Sequence, residues 1–225
     1  MTLILPMIGS GYIAAGGGSL PNGTILSSFA SPSTNPRGLT TVGSNLLSCD
    51  ATSDLIYVHS GVSSTISSSF ASPSSFPAGL AYTGTNLISC DLFTATIYVH
   101  SGVSSTIFYT FAAPVNLMYG LAYTGTNLIS CSLSGTIYVH SGVSSTILSS
   151  FASPSSNPSG LTYAGGNLIS CDANSDQIYI HDGVSSTILS SFASPSTTPS
   201  GLAYTGTNLI SCDYTSDLIY THDNS

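Results

Sequence analysis

The sequence predicts an all-β ring of five four-stranded antiparallel blades, a five-bladed β-propeller. Three observations carry that prediction. A unit opening with glycine recurs at Gly38, Gly79, Gly120, Gly160 and Gly201, a period of 40 or 41 residues, in the range of a propeller blade. Inside each unit, four short runs rich in Leu, Ile, Val, Tyr and Phe are separated by Gly- and Ser-rich turns, as four strands require. Near-continuous apolar runs such as residues 127–131 fit strands buried on both faces, the situation of a blade between two others.

Taken in order, residues 1–23 match no part of the repeat and combine an apolar tip with a Gly-rich tether. They read as a docking arm whose contact residues are Leu3, Ile4, Leu5, Met7, Ile8, Tyr12 and Ile13. The longest apolar run, residues 2–8, is broken by Pro6 and falls far short of the roughly 20 residues a spanning helix needs, so no membrane insertion is expected. No basic region precedes it, and no standard secretory signal is evident. Residues 24–32 resemble a fourth strand without its first three, and residues 201–223 supply three strands without a fourth. Joined, they complete a fifth blade and remove the open sheet edge, so residues 24–225 read as one closed propeller.

Within a repeat, Gly-Leu-Ala-Tyr is the first strand, Asn-Leu-Ile-Ser-Cys-Asp the second, Ile-Tyr-Val-His the third and Thr-Ile-Leu-Ser-Ser-Phe the fourth. Thr-Gly-Thr-Asn and Ser-Gly-Val-Ser-Ser provide the tight turns between them. The proline pairs Pro32/Pro36, Pro73/Pro77, Pro154/Pro158 and Pro195/Pro199 are expected between blades, where no ladder donor is needed.

Composition excludes several function classes. The chain has one basic residue, Arg37, against nine Asp and no Glu, for a net charge of −8. A single cation cannot neutralise a run of phosphates, so nucleic acid is excluded as a partner, and attraction to an anionic membrane is excluded likewise. Cys49, Cys90, Cys131, Cys171 and Cys212 occur once per repeat. An odd, symmetric set reads as free buried thiols acting as small apolar residues.

The order Pro-x-Gly-Leu-Ala-Tyr-x-Gly-x-Asn-Leu, then Ser-Cys-Asp, then Asp-x-Ile-Tyr-Val, resembles the repeats of NHL-type and YVTN-type propellers. The resemblance covers most of the chain and implies a fold, not an activity. Those families mostly build larger rings, from which five blades depart.

Catalysis needs unlike groups converging on one atom, whereas near-identical repeats deliver five copies of each group around a ring. His59, His100, His140, His181 and His222 end the third strands and read as polar caps of the next turn, or as repeated ligand sites. Tyr82, Tyr123, Tyr163 and Tyr204 on the first strands read as inter-blade packing or as sugar-binding surfaces. The pairs Asp50/Asp54, Asp172/Asp176 and Asp213/Asp217 read as Asx-turns, with calcium as the alternative. With no Glu, no Lys and no nucleophile elbow, the expectation is a chain that is not an enzyme and takes no cofactor.

The repeats break in blades 2 and 3. Phe93, Phe108, Tyr109, Val115, Leu117, Met118 and Tyr119 stand where other repeats carry mainly small, polar or Pro residues, and blade 3 loses its Asp pair. Side by side on one face, they would make an interface. The expected function is a structural or binding subunit of a virion or extracellular assembly. It would dock onto copies of itself or other subunits and contribute to attachment to a cell-surface glycan. The alternative is a free multivalent lectin with one weak site per blade.

Overall fold

The computed structural model describes residues 20–224. They form five four-stranded antiparallel sheets. Blade 1 consists of Pro36–Val42, Asn45–Asp50, Leu55–His59 and Ile66–Ala71, and blades 2, 3 and 4 repeat it starting from Pro77–Tyr82, Met118–Tyr123 and Pro158–Ala164. Blade 5 takes Pro199–Tyr204, Leu209–Asp213 and Leu218–His222 from the end of the chain and Ile25–Ala30 from its beginning. Phe29 lies opposite Ile219 and Ala30 opposite Leu218, so the N-terminal strand closes the ring as expected. Leu20 packs with Leu189 and Phe192 against the core between blades 4 and 5. The arm residues Leu3, Ile4, Leu5, Met7, Ile8, Tyr12 and Ile13 lie outside the described residues.

The first strands of neighbouring blades pack on one another around the axis. Closing so small a ring forces backbone against backbone, and that is why each first strand carries glycine. A Cβ on Gly201 would sit 2.0 Å from the Arg37 carbonyl oxygen, and one on Gly79 would sit 2.5 Å from that of Tyr119. The second strands hold the blades together through apolar contact. Ile88, Cys90 and Ile97 of blade 2 meet Met118, Leu121 and Leu128 of blade 3, all buried, and each such aliphatic side chain contributes about 1.5–3 kcal/mol by leaving water.

Two expectations need correction. The second proline of each pair is not in a connection: Pro36, Pro77, Pro158 and Pro199 are the first residues of first strands. Each is followed by a register shift, as in Pro36 opposite Asp50 and Leu39 opposite Ser48, where a missing N–H costs the ladder nothing. The thiols are free and buried, but they are more than apolar filler. Cys49 Sγ accepts the Gly38 N–H of its own blade at 3.1 Å, and Cys212 Sγ–H donates to the Arg37 carbonyl of the next at 3.2 Å.

Candidate functional site

The five histidines end in a repeated buried network. His59 Nδ1–H donates to the Ser63 carbonyl at 2.7 Å, which leaves Nε2 as the acceptor of the Ser48 hydroxyl at 2.9 Å. The same pair of bonds joins His100 to Ser89 and Ser104, His140 to Ser130 and Ser144, and His181 to Ser170 and Ser185. A Ser–His pair is the wiring of an activated nucleophile, yet both residues are buried in every blade and no substrate reaches them. Burial holds these imidazoles below their ordinary pKa. His222 keeps the bond to Ser211 at 2.7 Å. His222 Nδ1 is buried without a partner among the described residues, and burial lowers its pKa to about 4.

The aspartates organise the loops between second and third strands. Asp50 Oδ1 accepts the N–H groups of Thr52 and Ser53, both at 2.9 Å, while Oδ2 accepts the Asn35 N–H at 2.8 Å. Asp172 and Asp213 repeat all three bonds. The second members, Asp54, Asp176 and Asp217, sit in the left-handed region with φ of 56°, 54° and 54°. The first carboxylate of each pair is thus occupied by loop amides, and Asp54 accepts the Phe76 N–H, whereas Asp176 Oδ1 and Asp217 Oδ1 are buried without a partner among the described residues. Among the described residues no three His, Cys or Asp converge on a point that could hold a metal ion.

Tyr82, Tyr123, Tyr163 and Tyr204 gather at one mouth of the central channel, around a cavity of about 120 Å³. Blade 1 has Thr41 at this position, and its hydroxyl donates to the Tyr204 carbonyl at 2.9 Å. Beside that substitution a groove of about 420 Å³ opens between blades 5 and 1, with Thr41, Ser44, Thr205, Thr207 and Asn208 in its walls.

The expected interface on blades 2 and 3 divides. Met118 is fully buried and Tyr119 nearly so, because both lie on the innermost strand, where a large apolar residue is core. Val115 is half-buried and packs on that same core. Phe108 and Tyr109 lie on the outer strand, level with Val99 and His100 and so at the far end from the loop that carries Phe93. Phe108 is also not peculiar to blade 2, since Leu26 and Leu148 are exposed at the same place in theirs. What remains together is Phe93 and Leu117, joined by a residue the sequence reading missed, Phe76. Phe76 and Phe93 meet edge to face at 5.1 Å, and the three are 44, 58 and 39 % exposed respectively for Phe76, Phe93 and Leu117.

The backbone under this rim is strained. Phe76 and Leu117 have φ of 65° and 60°, a region that costs a bulky residue on the order of 1–3 kcal/mol. Their counterparts Asn35, Asn157 and Thr198 avoid it by giving their N–H to the blade's first aspartate. Phe76 N–H turns instead to Asp54 Oδ1 at 3.1 Å, leaving Asp91 Oδ2 buried and unpaired, and Leu117 N–H goes to the Leu92 carbonyl at 3.0 Å.

At the opposite mouth of the channel from Tyr82 and its counterparts, on the side of this rim, the residue before each ring glycine is not constant: Arg37, Ala78, Tyr119, Ser159 and Ser200. The Arg37 guanidinium lies 5.1 Å from the Tyr119 ring centre and 4.7 Å from that of Tyr214. Its Nε–H donates to Asn35 Oδ1 at 2.6 Å, and no carboxylate pairs with it among the described residues. Burial lowers the Arg37 pKa. Sequence reasoning missed this group, although aligning the five repeats on the residue before glycine exposes it.

No protein-family model and no curated protein sequence matches the chain, so the NHL- and YVTN-type resemblance has no family match behind it. The fold is similar to that of solved propellers. The glutaminyl cyclase of Myxococcus xanthus superposes with a TM-score of 0.76 and 14% identity, over 88% of this chain and 94% of that one. The WD40 β-propeller domain of Doa1 gives a TM-score of 0.59 at 12% identity, over 83% and 63%. The computationally designed Ika8 protein gives 0.52 at 15% identity, over 83% and 58%. At such identities the likeness shows the fold alone. It nevertheless overturns the expectation that the chain is not an enzyme, because a ring of this form serves as one in the cyclase. The premise behind that expectation also fails at the Arg37 mouth, where the repeats deliver five positions filled by four unlike residue types.

Proposed function

We propose that this chain is a recognition propeller that assembles through its loop-bearing mouth, with a second copy of the chain meeting the rim of blades 2 and 3. The observation that carries this reading is the trio Phe76, Phe93 and Leu117, which combines exposed apolar surface with backbone strain in two of its members. Both features oppose the stability of the isolated ring, and both are used if the rim is covered. Charge supports a like partner. Two copies of net charge −8 meet most easily where carboxylates are few; blades 2 and 3 carry only Asp91, which is buried, and the one neighbouring carboxylate at the rim, Asp54, is engaged by the Phe76 N–H. A virion or extracellular surface is the setting we propose, on the strength of the hydroxyl-rich exterior, and the repeat order supports kinship of the blades with the NHL and YVTN types.

Light scattering on the purified chain tests the reading, beside a variant carrying Phe76→Asn, Phe93→Asn and Leu117→Asn. A dimer or larger species that the variant converts to a folded monomer is expected; a monomeric native chain overturns the reading. A second reading, a neutral glycan ligand, is favoured by the uncharged hydroxyl-lined groove between blades 5 and 1. It calls for one site per chain in place of one per blade, and binding to a glycan array that survives in the rim variant checks it.

A further inference from the structure

Apart from the rim, the same mouth holds a half-buried cation that no carboxylate pairs with among the described residues. Arg37 is the one basic residue of the chain, and even partial removal of a cation from water costs free energy that an anion on its open donors offsets. Among the described residues only Nε has a protein acceptor, Asn35 Oδ1, and the other guanidinium N–H groups stay open to a ligand. The flanking Tyr119 and Tyr214 rings stabilise the charge through their faces but offer no lone pairs to the remaining N–H groups. The nearby serines are engaged elsewhere: the Ser159 hydroxyl donates to the Pro199 carbonyl and the Ser200 hydroxyl to that of Pro36. In front of the guanidinium lies a cavity of about 180 Å³, walled also by Leu133 and Ala173.

We propose that this socket binds a small monocarboxylate, its two oxygens on the Arg37 guanidinium and its carbon body against Tyr119, Leu133 and Tyr214. The fork of an arginine matches a carboxylate with two parallel hydrogen bonds. A cavity of roughly 150 Å³ is enough to hold a benzene ring, so a benzoate-sized body fits. A phosphate is disfavoured, since a dianion meets one cation here, close to Asp50 in a chain of net charge −8.

The single arginine makes the test site-specific. In a ¹⁵N-labelled full-length chain, the Arg37 Nε–H gives the one arginine side-chain resonance. It is followed during titration with benzoate, acetate, phosphate and chloride at matched ionic strength. The expected result is a saturable shift with benzoate, binding at least about tenfold tighter than acetate, and no saturable shift with phosphate or chloride. Absence of a saturable benzoate shift, or one that phosphate reproduces, overturns the proposal. Arg37→Gln should abolish benzoate binding, read on the backbone amides, and keep the thermal midpoint. Should it fail to fold, Tyr214→Ser, at a half-exposed position, should weaken benzoate about fivefold or more and leave acetate unchanged. Undiminished benzoate binding in a folded variant overturns the proposal equally.

Discussion

Lowering the pH from 7 to 5 should destabilise the ring, and His222 should carry an identifiable share of the loss. All five imidazoles are shut away from water, and burial holds each pKa below its ordinary 6.5. His222, with no acceptor for Nδ1, is lowered furthest, to about 4. The unfolded chain therefore binds protons on these residues from about pH 6.5 downward, while the folded chain does not. Their stabilising effect is whole above pH 6.5 and is lost as the pH falls toward the folded values. For His222, a shift from 6.5 to about 4 removes about 2 kcal/mol between pH 7 and 5. The other four act in the same direction over the same window. Urea unfolding at pH 7, 6 and 5 and fixed ionic strength reads the loss directly. His222→Gln keeps an acceptor for the Ser211 hydroxyl but cannot titrate. Whatever its absolute cost, it should shrink the difference between pH 7 and pH 5 by about 2 kcal/mol. Equal pH dependence in both proteins, or a flat native profile, would refute the reasoning.

Three other perturbations follow from the packing. Gly201→Ala drives a methyl group to 2.0 Å from the Arg37 carbonyl oxygen, and should cost about 3 kcal/mol or more in urea unfolding, if the chain folds at all; a near-neutral effect would mean the first strands are not so close. Phe76→Asn and Leu117→Asn place a residue that tolerates the left-handed region where Phe and Leu are strained, so each should raise stability by about 1 kcal/mol while weakening self-association; unchanged or lowered stability contradicts the strain. Burial pushes the Cys49 and Cys171 thiols up to about 12, so a thiol reagent at pH 8 should leave the native chain untouched and label five sites after unfolding, whereas rapid native labelling would expose an open thiol.

The architecture was legible because it is written five times. The glycine period and the unpaired fourth strand near the start fixed the number of blades and the way the ring closes, and the ladder of Ile25–Ala30 on Leu218–His222 confirms it. The roles of single residues were less legible. An apolar substitution in a repeat looks like surface until its strand is placed. Met118 and Tyr119 stand where other blades have Pro36 and Ser159, on the innermost strand, and so joined the core. Nothing in the sequence marks the left-handed backbone at Phe76, which arises when its N–H finds Asp54 in place of its own blade's aspartate. Arg37 was visible as the lone cation, but its partial cover depends on Tyr214, which the ring brings beside it across almost the whole chain.

The most direct measurement on the assembly is site-specific photo-cross-linking of the purified chain with benzoylphenylalanine in place of either Phe93 or Leu148. Both side chains are 58 % exposed, so accessibility does not favour one over the other, but Phe93 belongs to the rim and Leu148 to the outer strand of blade 3. Cross-linked dimer from position 93 and monomer from position 148 is the expected result. Equal cross-linking from both, or dimer from position 148 alone, would contradict assembly through the mouth.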